Sequence, residues 1–131
     1  APDAKTPVQR VRQPIRREHW KLNMQHETTR QDGFVIVSLS GEVDLSSASE
    51  VRRLILEHVA AGAATLVNLA AVTYIDSSGI ACLVEGHQAA KRKGSRFGLL
   101  QISEPVLSVL ALARLDKVFA LYSAVPAPIR A

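Results

Sequence analysis

The sequence has little of what disulfide-built, metal-bound or membrane-spanning proteins rely on. Its 131 residues include one cysteine, Cys82. That excludes an internal disulfide and a cysteine-built zinc cage, and it fits a reducing, cytoplasmic setting. No apolar run approaches the ~18–20 residues that a membrane-crossing helix needs, so no membrane association is expected. The first residues show no apolar core of a secretory signal. There is no glycine-lysine phosphate loop, no paired-histidine spacing and no dinucleotide fingerprint, so neither a metal nor a cofactor is expected.

What is present fits one domain. Apolar residues make up 47% and charged residues 21%, an ordinary balance for a globular chain long enough to bury a core. The formal net charge is +4, but it is unevenly placed. Lys5, Arg10, Arg12, Arg16, Arg17 and Lys21 face only Asp3 and Glu18 in the first 21 residues, and the rest of the chain balances 10 basic against 10 acidic residues. That opening stretch also carries Pro2, Pro7 and Pro14 without sustained periodicity, so residues 1–19 read as a basic, disordered extension. A nucleic-acid footprint would need a basic patch on the folded part, and none is expected there.

From Trp20 the pattern changes. Trp20, Leu22 and Met24 alternate with polar neighbours, the period of a half-buried strand. Asp32-Gly33 is a hairpin signal, since both residues tolerate positive φ, and Phe34–Leu39 gives the second arm. In "SSASEVRRLILEHV", Ser47 and Glu50 have capping-box spacing, and Val51, Leu54, Ile55, His58 and Val59 share a helix face. Gly62 ends that helix, Leu66–Leu69 is a strand buried on both sides, and "DSSGIACLVEGHQAAKRKG" is a second helix. Its expected inward stripe is Ile80, Leu83, Val84 and His87, with Lys91, Arg92 and Lys93 at its negative end and Gly94 after it. "FGLLQI" is a strand, Ser103 and Pro105 open a third helix, "KVFALYS" gives a last short strand, and "AVPAPIRA" is too rich in proline for a helix. The order β-β-α-β-α-β-α-β predicts an α/β domain over residues 20–125. It has a mixed, mostly parallel sheet, an N-terminal antiparallel hairpin and helices packed on the sheet; residues 126–131 form a tail.

The segment "YIDSSGIACLV" at Tyr74–Val84 carries the chemistry. Asp76 suits a helix N-cap. Ser77 and Ser78 then fall in the first turn, where backbone N–H groups lack intrahelical partners. Gly79 costs a helix ~1 kcal/mol relative to alanine, and capping does not explain it. Local chemistry supports a plain cap and a docking surface equally. Catalysis is poorly served. The serine pair lacks the glycine flanks of a nucleophile elbow, and none of His19, His26, His58 or His87 can be set beside a serine. Cys82 reads as a small buried hydrophobe. Counting back from Ile80 and Val84 places Ser77 on the inward stripe and Ser78 toward solvent.

The wider pattern is more specific. "GEVD" at Gly41–Asp44, "LVNLAAVTYIDSSG" at Leu66–Gly79 and "LLQISEPVLSVLALARLDKVF" at Leu99–Phe119 occur in order. Together they resemble the anti-sigma-factor antagonist family, bacterial proteins built as a single STAS domain. The resemblance covers Trp20 to Ser123. It implies a partner switch with no enzymatic activity of its own. The unphosphorylated antagonist binds an anti-sigma factor that is also a serine kinase and thereby frees a sigma factor; the kinase phosphorylates the antagonist, and a PP2C-type phosphatase reverses this. Carried over, the resemblance makes Ser77 the phosphoacceptor. Asp76, Ser78 and Gly79 shape the docking edge, and the Gly41–Asp44 loop, with Gly41 and Asp44, contacts the partner nearby. It also implies a cytoplasmic monomer or weak dimer. The basic leader and the tail "AVPAPIRA" depart from the family pattern. The same fold also serves non-switching scaffolds and subunits of lipid-transport complexes, which is the alternative reading.

Overall fold

A computed structural model describes residues 23–127. Their elements are β1 (Met24–Gln31), β2 (Phe34–Val43), α1 (Ala48–Ala60), β3 (Ala64–Ile75), α2 (Ser77–Lys93), β4 (Phe97–Leu100), α3 (Glu104–Leu112) and β5 (Ala120–Tyr122). The five strands form one sheet in chain order. β1 and β2 run antiparallel, and every later pair is parallel. This is the mixed architecture that alternating strands and helices predict.

The hairpin closes where expected. Asp32 and Gly33 have φ of 55° and 85°, and Gln31 lies opposite Phe34, the geometry of a two-residue turn whose twist suits the strands. The first arm extends beyond the alternation at Trp20–Met24. Trp20 and Leu22 lie outside the described residues, as do the 1–19 extension and residues 128–131 of the tail. The arm that is described runs from Met24 on through "HETTRQ", and only Met24 in it is buried. The turn and the partner strand dictate this pairing, so apolar alternation is not needed. A polar outer strand also discourages pairing with other chains.

β2 and β3 are apolar on both faces, as strands covered from two sides must be. One face gives Val35, Val37, Leu39, Val67, Leu69 and Val72 to the main core. There they meet Val51, Ile55 and Val59 of α1, Leu83 of α2, and Val106 and Leu110 of α3. The other face gathers Phe34, Ile36, Leu66 and Leu100 with Tyr122 and Val125; the Arg96 guanidinium sits 4.9 Å from the centre of the Phe34 ring. α2 approaches α1 and β4 through Gly86, where a Cβ would come within 2.6 Å of Ile55 Cγ2 and 2.9 Å of Phe97. Gly94, at φ 74°, ends α2 as expected.

The start of α1 differs from the capping box. Ser47 already has helical dihedrals and makes no side-chain cap. Its hydroxyl accepts from the Asp44 N–H at 3.1 Å and lies 3.3 Å from the Glu42 carbonyl. Glu50 pairs instead with Arg53 at 2.8 Å and His26 at 3.4 Å. The turn at the end of β2 has therefore taken the serine that would otherwise have capped the helix.

Leu69 is wholly buried in the main core. Leu69→Ala should lower unfolding free energy by about 2–5 kcal/mol, read by urea denaturation; a loss below about 1 kcal/mol would contradict this packing.

Candidate functional site

β2 and β3 end side by side, Val43 opposite Ile75, and the Asp76 N–H donates to the Val43 carbonyl at 3.2 Å. Asp76 is extended, at φ −112° and ψ −172°, and caps α2. Its Oδ1 accepts from the Ser78 N–H at 3.0 Å, the Gly79 N–H at 3.1 Å and the Ser78 hydroxyl at 2.6 Å. Partial burial works against charge on this carboxyl. The Ser78 hydroxyl and the N–H groups of Gly79, Ser78 and Leu45 outweigh it and hold Asp76 below the usual carboxylate range. Asp76 is therefore ionised at neutral pH.

The two serines are oriented opposite to the helical count. Ser77 is exposed and Ser78 is half-buried. The buried stripe of α2 includes Gly79, Leu83, Gly86 and Ala90, so its backward continuation meets Asp76 and Ile75 and passes over Ser77. Val84 and His87, expected on the stripe, are only half-buried. In the first turn the Asp76 carboxylate then draws the Ser78 hydroxyl inward and leaves that of Ser77 at the surface.

Gly79 is buried, and a Cβ there would lie 2.7 Å from Ile75 Cγ1, 2.8 Å from Val43 Cγ1 and 2.9 Å from the Val43 carbonyl. The helix tip needs glycine because the strand ends occupy that space. Gly41 is similar. It belongs to β2 and not to a loop, lies level with Val72, has φ 87°, and leaves room for the Asn23 carbonyl where a Cβ would sit. Asp44 lies just past β2, and its Oδ1 accepts from the Ser46 N–H at 3.0 Å and the Ser46 hydroxyl at 2.7 Å.

Among the described residues no histidine bonds to either serine of α2. Ser78 donates to Asp76, His26 faces Glu50, and His87 meets Phe119 edge-on at 5.5 Å. Cys82 is buried, 3.3 Å from the carbonyls of Ala48 and Ser78, and burial pushes its thiol above the usual range, which leaves it a packing residue. Among the described residues no cluster of three or more His, Cys, Asp or Glu gathers to hold a metal, and no helix is long and apolar enough to cross a membrane. Sequence reasoning missed two exposed residues here: Leu45 in the turn after β2 and Tyr74 near the end of β3. Leu45 had a visible signal, a large apolar residue in the otherwise small and polar run "DLSSASE".

A family model described as the STAS domain matches residues 25–127. The chain belongs to the STAS domain family. Over 109 residues this STAS domain is 27% identical to a Paenibacillus polymyxa protein named anti-sigma F factor antagonist, covering 77% of the chain and 88% of the relative. It is similar to the crystal structure of an anti-sigma factor antagonist from Mycobacterium paratuberculosis, with a TM-score of 0.71, 27% identity and coverage of 78% of this chain and 87% of that one. It shares its fold with the Bacillus cell fate determinant SpoIIAA in its phosphorylated form, with a TM-score of 0.58, 22% identity and coverage of 75% and 89%.

Asp76→Ala should cost about 1 kcal/mol, which lowers the thermal midpoint of a domain this size by about 4–8 °C. A carboxyl depressed in the folded state stabilises above its unfolded value and loses that contribution as pH falls through its folded value. The gap between wild type and Asp76→Ala should therefore narrow as pH drops below the ordinary carboxylate range, and a gap independent of pH would contradict the bonding at Oδ1. Gly79→Ala should destabilise by about 1–3 kcal/mol through overpacking, despite alanine's better helix propensity; stabilisation would contradict the close approach to Val43.

Proposed function

We propose that this STAS domain is an anti-sigma-factor antagonist whose partner is an anti-sigma factor with serine kinase activity. Unmodified, it docks through the edge formed by Asp44, Asp76 and Ser77 and releases the sigma factor. The γ-phosphoryl group of ATP passes to the Ser77 Oγ, which loses its proton as ADP leaves, and the phosphoprotein no longer docks. A PP2C-type phosphatase hydrolyses the ester and restores binding. The site of action is the cytoplasm.

The observation that carries this reading is the division of labour between the two hydroxyls. Asp76 occupies the Ser78 hydroxyl at 2.6 Å, while Ser77 stands exposed at the first position of α2. The chain names of the relatives and the phosphorylated state of SpoIIAA agree with it.

The electrostatics of the edge make a phosphate consequential. The two turns carry Asp44 and Asp76, while Glu50 and Glu85 behind them are already paired with Arg53 and Arg52. A phosphoserine adds about −1.5 to −2 charge. The N-terminus of α2 tolerates an anion, so the fold survives with little change. A docked partner would have to enclose that charge beside Asp76, and unpaired buried charge costs several kcal/mol. Moving a complex from 99% bound to 99% free takes about 5.5 kcal/mol of differential affinity, which repulsion, desolvation and bulk together supply.

The test is calorimetric binding to the kinase with and without stoichiometric phosphate on Ser77. Phosphorylation, or Ser77→Asp, should weaken binding by at least about a hundredfold, and Ser77→Ala should bind as wild type does while resisting modification. Equal affinity of the phosphorylated and unmodified forms would overturn the switch.

A further inference from the structure

Beyond the level ends of β2 and β3 the chain makes the same short turn twice. After β3, Asp76 Oδ1 accepts from the N–H and the hydroxyl of Ser78 at 3.0 and 2.6 Å. After β2, Asp44 Oδ1 accepts from the N–H and the hydroxyl of Ser46 at 3.0 and 2.7 Å. Each turn satisfies its own polar groups and presents the residue in the middle. In one turn that residue is Ser77. In the other it is Leu45, 79% exposed.

The turns are also joined at their starts, since Val43 lies opposite Ile75 and the Asp76 N–H donates to the Val43 carbonyl at 3.2 Å. Leu45 is thus held at a fixed place beside Ser77. Single exposed leucines are common and need no explanation. This one differs in being presented by a turn that is hydrogen-bonded within itself and tied to the neighbouring one. A fixed backbone loses little freedom on binding, so an apolar side chain there adds affinity at low entropic cost.

We propose that Leu45 is the apolar anchor of the contact that Ser77 gates. It inserts into an apolar pocket on the anti-sigma factor, and basic side chains at the rim of that pocket face Asp44 and Asp76. The inference rests on the antagonist reading above. The occupant follows from two features: Leu45 is continuous with the Ser77 edge, and that edge presents the carboxylates of Asp44 and Asp76 on a domain whose charges otherwise nearly balance. Charge complementarity of this kind sets partner choice and orientation. It also adds to the switch, because a phosphate on Ser77 would have to be buried next to the apolar wall that receives Leu45.

The test uses purified wild-type protein and a purified panel of anti-sigma factor kinases from the source organism, with the tightest binder retained as the probe. Leu45→Ala should weaken that complex at least about tenfold, the level of an interface hot spot, and Leu45→Asp should weaken it further. Leu45→Met should keep affinity within about threefold of wild type. The thermal midpoints of the Ala and Met variants should match wild type, because the side chain is exposed. If wild type binds and Leu45→Ala binds within about twofold of it, the anchor is overturned while the antagonist reading stands. If no member of the panel binds wild type, both are overturned.

Discussion

One carboxylate oxygen, Oδ1 of Asp76, takes three donors from the first turn of α2, and the character of the site depends on that arrangement. The three bonds offset the partial burial of the carboxylate, keep it charged, and end β3 against β2 through the bond from the Asp76 N–H to Val43. They also use up the hydroxyl of Ser78. Two neighbouring serines of identical chemistry become different groups, one a structural donor and the other free at the surface. Gly79 completes the corner, since only a residue without a side chain lets the helix tip sit this close to Val43 and Ile75.

The turns beside that hydroxyl carry the carboxylates of Asp44 and Asp76, and the arginines that follow, Arg52 and Arg53 of α1, are already paired with Glu85 and Glu50. A domain that needed to hold a phosphate internally would place an arginine or lysine beside it. Here the only compensation available from the flanking segments is the helix terminus, enough to tolerate the anion and insufficient to hide it. Such a site changes what the surface offers to another protein more than it changes the fold.

Much of this was legible in the sequence because it is local. The Asp32-Gly33 turn, the Gly94 terminator and the Asp76 cap each depend on a few adjacent residues, and each lies where the pattern predicts. The mixed, mostly parallel sheet followed from alternation of elements, and the motifs at Gly41–Asp44 and Leu66–Gly79 pointed to the STAS family that the match over residues 25–127 shows. The failures are contests between neighbours. Ser47 has the spacing of a capping box, but the turn after β2 claims its hydroxyl. The stripe of α2 is rotated by about one residue because Gly79 and Gly86 face inward, and small residues carry no weight in a hydrophobic count. That rotation exchanged the orientations of Ser77 and Ser78. Gly41 reads as a loop residue in the sequence, yet it lies in β2, where its missing side chain leaves room for Asn23.

The central claim is that the Asp76 clamp selects one hydroxyl of the pair. Its most direct test is fragmentation mass spectrometry that localises phosphate after incubation with the kinase and ATP. Phosphate on Ser77 with none on Ser78 is the predicted result. Phosphate on Ser78, whose hydroxyl would first have to leave Asp76, would contradict the account.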